Sequence, residues 1–252
     1  MARTGVSEQV LPRTSLASST KFARAAIPCV HCPAKVFNVC KPLDYERQKE
    51  LFEIGVQQTW KRRQFLFRMG DPAGPVFKIT SGVVAVSRPL SEGRRQISAF
   101  LLPGEVCGYL ETGGTYAFEG EAITDVRTCT FNRRQFHAFV ASNRDVNDEV
   151  QAALEERLQQ VSRQQAVLGQ LSATARVASF LVALTKDYSA HGMQTRPLWL
   201  PMSRADIADY LGLRIETVSR AFAKLKNRKA LELDGEEVVI HDLKRLAELA
   251  AL

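Results

Sequence analysis

The sequence contains no run of about 18 consecutive apolar residues, which excludes a conventional membrane-spanning helix. Its N-terminal stretch has basic residues but lacks the continuous apolar core of a secretory signal. The four histidines are scattered, and neither a nucleophilic Ser/His/Asp context nor a phosphate-cradling glycine loop is present. We therefore expect a cytoplasmic protein that has no membrane partner and is not an enzyme.

Cysteine is scarce, with five residues at positions 29, 32, 40, 107 and 129. In a reducing cytoplasm, clustered cysteines are metal ligands or redox centres more often than disulfides. The formal net charge of +7 favours a polyanionic partner, and 252 residues suffice for one large or two modest domains.

One stretch, SRADIADYLGLRIETVSRAFAKL, has the pattern of two helices joined by a short turn. Ser203 stands three residues before Asp206, which is the spacing of an N-terminal cap. Ile207 and Leu211 then repeat at helical spacing, and Gly212 can adopt the positive φ that ends a helix. Helix, glycine-containing turn and helix together predict a helix-turn-helix.

The second of these helices has an apolar stripe and a polar outer face. The stripe consists of Ile215, Val218, Phe222 and Leu225. On the outer face, Arg220 can donate two hydrogen bonds to guanine, Glu216 can accept from cytosine, and Ser219 can adapt to either kind of base. The alternative is that Glu216 and Arg220, four residues apart, form a solvated ion pair on an ordinary helix.

The segment LGLRIETVSRAFAKL, with the pattern E-x-x-S-R, resembles the recognition helix of the CRP/FNR superfamily, and within it the oxygen-responsive FNR branch. The resemblance implies a homodimer that binds a TTGAT-N4-ATCAA-like palindrome in double-stranded DNA. It implies that Arg220 and Glu216 read the G·C pair and that Ser219 contacts a neighbouring thymine. It further implies RNA polymerase as a partner and, mainly, activation of genes when oxygen is low.

A second motif, CVHCPAKVFNVC, places Cys29, Cys32 and Cys40 close together in the sequence. A C-x2-C turn lets two thiolates converge, and the third cysteine leaves the set one short of the four that zinc or an iron–sulfur cluster takes. Cys107 and Cys129 both remain candidates for the fourth ligand on this reasoning. His31 lies inside the segment and is interpreted as a bystander.

The family resemblance implies a [4Fe-4S] cluster held by three N-terminal cysteines and one distant cysteine. The distant residue lies in a segment like EAITDVRTCTFNRRQF, so the implied metal ligands are Cys29, Cys32, Cys40 and Cys129. Cys107, in LPGEVCGYL, is then a buried small residue. The cysteine spacing differs from the enterobacterial pattern and resembles alphaproteobacterial members. The alternative is a regulator that senses through zinc or thiol redox, or is controlled by expression level, without a cluster.

Short apolar segments with turns between them run from Phe65 to Phe131 and indicate an antiparallel barrel or jelly roll. Val76, Lys78 and Thr80 alternate there with Phe77 and Ile79. The phrases FKITSG and LLPGEVCG resemble the cyclic-nucleotide-binding roll of the same superfamily. The predicted class is therefore α+β, with an N-terminal β-roll, a long dimerisation helix and a C-terminal winged helix-turn-helix.

Binding of a cyclic nucleotide is the main rival function for such a roll. The family pattern has Gly-Glu followed, some ten residues on, by an arginine that neutralises the cyclic phosphate. Gly104 and Glu105 are present, but the arginine position falls at Tyr116–Ala117, and residues 112–124 contain no lysine or arginine. A phosphate buried beside carboxylates without a cation is unfavourable, so we expect no cyclic nucleotide.

The remaining segments complete the predicted domain plan. Residues 1–28 form a flexible leader, 29–48 the cysteine segment, 49–142 the roll, 143–171 the dimerisation helix and 172–252 the winged helix-turn-helix, whose wing turns at Asp234–Gly235. The seam of the long helix is predicted to pair two subunits, or alternatively to pack on its own roll, through Val150, Leu154, Leu158, Val161 and Leu168. The residues predicted to contact DNA phosphates are Arg204, Arg214, Lys224, Lys226, Arg228 and Lys229.

Overall fold

The computed structural model describes residues 27–109 and 114–250, so most of the leader predicted over residues 1–28 lies outside it. The cysteine segment consists of three short 3₁₀ turns, Pro28–His31, Pro33–Val36 and Asn38–Cys40. Helix α1, Tyr45–Glu53, follows and is capped by the Asp44 carboxylate, which accepts from the Arg47 amide at 2.9 Å. The domain boundary predicted between residues 48 and 49 therefore falls inside a helix.

Within the described residues of the roll, eight strands form two four-stranded antiparallel sheets, which confirms the predicted roll. The strands are β1 Gly55–Trp60, β2 Phe65–Phe67, β3 Pro75–Ser81, β4 Val84–Pro89, β5 Arg95–Leu101, β6 Val106–Cys107, β7 Glu119–Ala122 and β8 Val126–Asn132. Their orders are β1-β8-β3-β6 in one sheet and β2-β7-β4-β5 in the other.

Strand β3 is buried on both of its faces. Phe77 and Ile79 point into the interior of the roll, as their alternation predicts. On the opposite face, Val76 packs in a second cluster with Val39 of the cysteine segment and Phe136. The cysteine segment therefore covers the outer face of the sheet that contains β3 and β8.

Two helices connect the roll to the C-terminal unit, α2 Arg133–Ser142 and α3 Arg144–Gln170, and α4 Ala173–Ala190 is the first helix of that unit. The Asn132 side chain accepts from two amides at the start of α2, and the Ser172 hydroxyl accepts from the Ala175 amide at the start of α4. Among the described residues, no helix combines the length and apolarity that crossing a bilayer requires.

The C-terminal unit is a winged helix-turn-helix, as predicted. It contains β9 Leu198–Trp199, α5 Arg204–Leu211, α6 Ile215–Asn227, β10 Leu231–Asp234, β11 Glu237–Ile240 and α7 Leu243–Leu249. The wing hairpin β10–β11 turns at Gly235, and β9 adds a third strand against β11.

The roll and the C-terminal unit share one hydrophobic core. Val83, Ile97 and Ile123 of the roll belong to the same buried cluster as Leu181 of α4 and Phe222 of α6. All five side chains are 5% exposed or less. The two units of one protomer are therefore packed together rather than joined by a linker alone.

Candidate DNA interface and cysteine site

The first helix of the helix-turn-helix begins and ends as its sequence predicts. The Ser203 hydroxyl accepts from the Asp206 amide at 3.1 Å, and the Ser203 amide donates to Asp206 Oδ2 at 2.9 Å, which completes a capping box. Gly212 ends the helix with a φ of 60°, a left-handed conformation that glycine adopts without strain. The turn into α6 is fixed in this way.

Helix α6 exposes the three residues predicted to read bases. Glu216, Ser219 and Arg220 are exposed on one face, while Val218, Phe222 and Leu225 are buried on the other. In the described part of the chain, Glu216 and Arg220 form no ion pair with each other; Arg220 donates instead to Thr217 Oγ1 at 3.4 Å.

Ile215 corrects the predicted apolar stripe. It is 48% exposed, because it occupies the first position of α6, before the helix reaches the core. Its apolar surface stands beside Glu216 on the outward side of the unit.

Arg204, one of the predicted phosphate contacts, is partly buried and stacks on an aromatic ring. Its guanidinium lies 3.6 Å from the centre of the Phe222 ring, and burial lowers its pKa. Arg204 therefore packs α5 against α6. The other predicted phosphate contacts are exposed on the surface of the unit: Arg214, Lys224, Lys226, Arg228 and Lys229.

A network of charges joins the roll to α5. Arg95 of β5 donates to Asp206 at 2.6 Å and to Asp209 at 2.8 Å, and it also pairs with Glu121. Arg63 reaches both Glu121 and Asp206 at 3.2 Å. Burial would raise the pKa of Asp206, but hydrogen bonds from Ser203 and the two guanidinium charges hold it below its ordinary value.

Four of the five cysteines come together at the outer face of the β1-β8-β3-β6 sheet. Cys40 and Cys129 pack on the same cluster at that face, and the Cys32 amide binds the Cys29 carbonyl in the adjoining turn. The charge of Cys32, when ionised, adds to the effect of burial in raising the pKa of Cys29, Cys40 and Cys129, as expected of neighbouring thiols. Burial raises the pKa of Cys129 to about 12, and neighbouring thiolates add to the rise. Burial likewise raises the pKa of Cys29 and of Cys40.

Short turns hold the first three cysteines in place. The Cys32 amide donates to the Cys29 carbonyl at 3.2 Å, and the Leu43 amide donates to the Cys40 carbonyl at the same distance. Asn38 adopts a φ of 51°, and its side chain accepts from the Val39 amide at 2.8 Å. His31, the predicted bystander, is exposed.

Cys107 lies apart from this group. It pairs with Phe77 across β3 and β6 and is buried in the interior cluster of the roll. Burial is the main reason that its pKa is raised to about 12, and the negative charge of Glu105 is the second reason. By contrast, Cys129 packs beside Cys40 in the cluster on the other face of the sheet.

Glu105, which stands at the position where cyclic-nucleotide-binding relatives bind ribose, is held by contacts within the protein. Glu105 accepts from Arg157 of α3 and, through its other oxygen, from the Leu102 amide at 2.7 Å. Phe37 of the cysteine segment packs on Gly104, where an added Cβ would lie 2.5 Å from the Phe37 side chain. The Phe37 ring also lies 5.1 Å from the His191 ring at the end of α4.

The five predicted dimer-interface residues of α3 fall on different surfaces. Val150 is buried in the protomer's own cluster, and Leu154 packs partly against it. Leu158 and Val161 are 70% and 40% exposed, and Leu168 is half-buried near Gly212. The N-terminal part of the helix therefore packs on its own roll, whereas its middle part exposes apolar side chains, whose pairing with a second subunit stays a prediction.

Reasoning from sequence missed three side chains that link distant segments around these sites, Lys78, Arg95 and Arg157. Each belongs to an element whose pattern reads as ordinary strand or helix. Their partners lie far away in the sequence, at separations of 44 residues for Lys78 to Ala34, 111 for Arg95 to Asp206 and 52 for Arg157 to Glu105. The sequence contains one signal at this place: residues 112–124 include no arginine, so the glutamates of this roll do not stand beside a phosphate-binding arginine from that interval.

Two family models match the chain. A Crp-like helix-turn-helix domain matches residues 175–249, and a cyclic nucleotide-binding domain matches residues 57–143. Together they span the roll and the DNA-binding unit.

Individual proteins extend the similarity over most of the chain. Transcriptional activatory protein AadR of Rhodopseudomonas palustris is 32% identical over 221 residues, covering 88% of this chain and 92% of AadR. Transcriptional activator protein anr of Pseudomonas aeruginosa is 30% identical over 233 residues, covering 89% of this chain and 94% of anr. The solved structure of FixK2 from Bradyrhizobium japonicum superposes with a TM-score of 0.72 at 32% identity, covering 79% of this chain and 98% of FixK2.

Proposed function

Because the chain belongs to the CRP/FNR family of transcription regulators, we propose that it controls transcription in response to oxygen through a [4Fe-4S] cluster. Membership of this family makes the chain a DNA-binding regulator and not an enzyme. The proposal of oxygen sensing is supported by the placement of Cys29, Cys32, Cys40 and Cys129 at one face of the roll.

The donor set of the thiol group fits an iron–sulfur cluster. All four candidate ligands are cysteines, which is the donor set that [4Fe-4S] clusters take. In the part of the chain that the structure describes, no three Cys, His, Asp or Glu side chains are already arranged to hold a metal ion.

Bound there, such a cluster would supply a metal–sulfide core that oxygen can oxidise and dismantle. The protein's own contribution is to tie the cysteine segment to the sheet, because Cys129 belongs to β8 while the other three ligands precede α1. The tied segment places Phe37 between the Gly104 loop and His191 of α4. The state of the cysteine site would thereby act on the unit that carries the recognition helix, with a few kcal/mol of coupling sufficient for regulation.

On DNA, we propose that a homodimer places two α6 helices in successive major grooves of a TTGAT-N4-ATCAA-like palindrome. Family members bind DNA and typically act as dimers. A two-fold dimer matches a palindromic site, in which the half-sites stand about one helical turn apart. Exposed Arg220 and Glu216 suit a G·C pair, and Ser219 suits a neighbouring thymine. RNA polymerase is the proposed partner at activated promoters.

We propose that no cyclic nucleotide is the effector. Glu105, which would accept from a ribose hydroxyl, is held by Arg157 and a backbone amide. Two further carboxylates, Glu119 and Glu121, are buried in β7, and the two cations that pair with Glu121, Arg63 and Arg95, are both shared with Asp206.

The proposal is tested by measuring the visible spectrum, iron and sulfide of protein purified without oxygen, together with its affinity for the palindrome before and after exposure to air. We expect a brown protein with about four irons and four sulfides per chain. It should lose DNA affinity as its colour bleaches. A colourless protein that binds the palindrome equally well in air would overturn oxygen sensing. That result would leave a regulator controlled by zinc, thiol redox or expression level.

A further inference from the structure

Lys78 is a buried lysine at the centre of the cysteine site. It lies in the middle of β3, is 1% exposed, and stands directly opposite Cys129 of β8 in the register of the sheet. Side chains directly opposite one another in an antiparallel pair share a face, so Lys78 points toward the thiols. Burial of an ammonium group is strongly unfavourable unless its donors are satisfied.

The Lys78 ammonium group finds its partners in the cysteine segment and in the roll loop beside it. Nζ donates to the carbonyls of Phe37 at 2.9 Å, Ala34 at 3.0 Å and Gly104 at 3.4 Å. An ammonium group has three donors and no acceptor, and three carbonyl oxygens match it. These hydrogen bonds hold residues 34–37, which lie between Cys32 and Cys40 in the sequence, against the sheet.

The same ammonium group lies next to the thiols. Its partner in the register of β8 is Cys129, and the Ala34 and Phe37 carbonyls that it binds lie in the segment between Cys32 and Cys40. Four thiolates around an iron–sulfur core concentrate negative charge in a poorly solvated place. A buried cation at this position would offset part of that charge.

We propose that Lys78 is a positioning residue of the cysteine site, which holds segment 34–37 against the roll and supplies a buried positive charge to the thiolates. The second role rests on the proposed function, since it concerns a bound cluster. The first role does not, because the three carbonyl bonds form in the protein without one. The two roles therefore call for two measurements.

The positioning role is tested by amide hydrogen exchange on the full-length, cluster-free protein kept under reducing conditions. In Lys78→Met, which preserves side-chain length, exchange in a peptide covering residues 34–43 should accelerate roughly tenfold, as expected when hydrogen bonds to a charged donor are lost. Lys61→Met is the matched control. It removes a lysine of the same roll, whose ammonium pairs with Asp125 at the surface, and should leave that peptide unchanged.

Lys78→Gln provides the second variant, because it retains N–H donors without charge and should restore part of the protection. Exchange in residues 34–43 that is unchanged in Lys78→Met would overturn the positioning role. Equal acceleration in residues 215–227 would also overturn it, because a general loss of stability would then account for the result.

The charge role is tested by the midpoint potential of the reconstituted cluster. We expect both Lys78→Met and Lys78→Gln to have a lower potential than the wild type, since loss of a nearby positive charge disfavours the added electron. Equal potentials in all three proteins would refute this role. A wild-type protein that takes up no cluster would refute the proposed function, whereas the exchange experiment would still decide whether Lys78 positions the segment.

Discussion

At the scale of single residues, Arg220 is the side chain on which sequence-specific DNA binding should depend most. It is exposed on α6 and carries no ion pair with Glu216. Arg220→Ala should weaken binding to the cognate palindrome by about 1–3 kcal/mol per half-site, because the bidentate contact with guanine is lost. Fluorescence anisotropy on cognate and random duplexes measures the difference.

Lys224→Ala is the control for Arg220. This exposed residue of the same helix suits a phosphate, so its loss should weaken binding to both duplexes equally. If Arg220→Ala weakened binding to the cognate and the random duplex equally, the assignment of Arg220 to base reading would be contradicted.

The two sheet cysteines that sequence reasoning alone could not rank should behave differently when they are replaced. Cys129→Ala should abolish stable cluster binding, because Cys129 lies with Cys29 and Cys40. Cys107→Ala should keep iron and sulfide near the wild-type level, because Cys107 lies in the interior of the roll. Iron, sulfide and visible absorption after anaerobic purification check both results; cluster loss in Cys107→Ala alone would reverse the ligand assignment.

The sequence predicts residues whose role depends on local pattern and misses those whose role depends on distant partners. Glu216, Ser219 and Arg220 are exposed because helical spacing alone sets their face. Lys78 alternates with Phe77 and Ile79 and so reads as a solvent-facing position. It is buried because the cysteine segment, some forty residues earlier, covers that face of the strand.

At the scale of secondary structure elements, the contact between β5 and α5 should be a main source of stability at neutral pH. Asp206 is fully buried and is held by Arg95, Arg63 and its own capping box. Asp206→Asn should lower the free energy of unfolding by roughly 1.5–3 kcal/mol at pH 7, because hydrogen bonds to a buried charged carboxylate are lost while both guanidinium groups keep Glu121. Chemical denaturation at several pH values measures this.

The pH dependence follows from the direction of the Asp206 pKa. Because the folded-state pKa lies below the ordinary value, the carboxylate stabilises the fold above about pH 3.9 and loses this effect as the pH falls through its folded-state pKa. The difference between wild type and Asp206→Asn should therefore shrink on acidification. Asp209→Asn, at the more exposed end of the network, should lower the free energy of unfolding less than Asp206→Asn does. If the difference between wild type and Asp206→Asn were independent of pH, the ionic role of Asp206 would be contradicted.

Helix α3 should lose its dimer contact when its exposed apolar patch is made acidic. Leu158 is 70% exposed in the protomer, so Leu158→Asp should leave the fold intact. The dimer dissociation constant should rise more than about tenfold, because burial of a leucine stabilises a contact by roughly 1.5–3 kcal/mol. Sedimentation velocity measures the dissociation constant, with Gln159→Asp as the control. An unchanged dimer in Leu158→Asp would show that the interface lies on another surface.

Elements with strong local signals were predicted, and several weaker ones, among them α1 and β9, were not. Helix α5 has a cap and a terminal glycine, and α6 has an amphipathic stripe, so both were evident. Helix α1 buries only Leu51 along YERQKELFE, which reads as a polar stretch. Strand β9 lies between Pro197 and Pro201 and exists because β11 pairs with it, which no local pattern reveals.

At the scale of the whole molecule, Phe37 should connect the cysteine site to the DNA-binding unit. Its ring lies against His191 of α4, and an aromatic pair of this kind contributes about 0.5–1.5 kcal/mol. In Phe37→Ala, the ratio of DNA affinities with and without the cluster should fall about two- to tenfold while the cluster is retained. Val36→Ala, at the exposed neighbouring position, is the control. A ratio unchanged by Phe37→Ala would exclude this route.

The shared core of the roll and the C-terminal unit also bears on how the protein is made. Val83, Ile97 and Ile123 leave the ribosome well before Phe222, with which they are buried in one cluster. Until the last helices are synthesised, this apolar face of the nascent roll has nothing to cover it, and chains in that condition are prone to aggregate. A ribosome stalled after α3 should therefore carry a roll that chaperones recognise, and release of the finished chain should end that recognition.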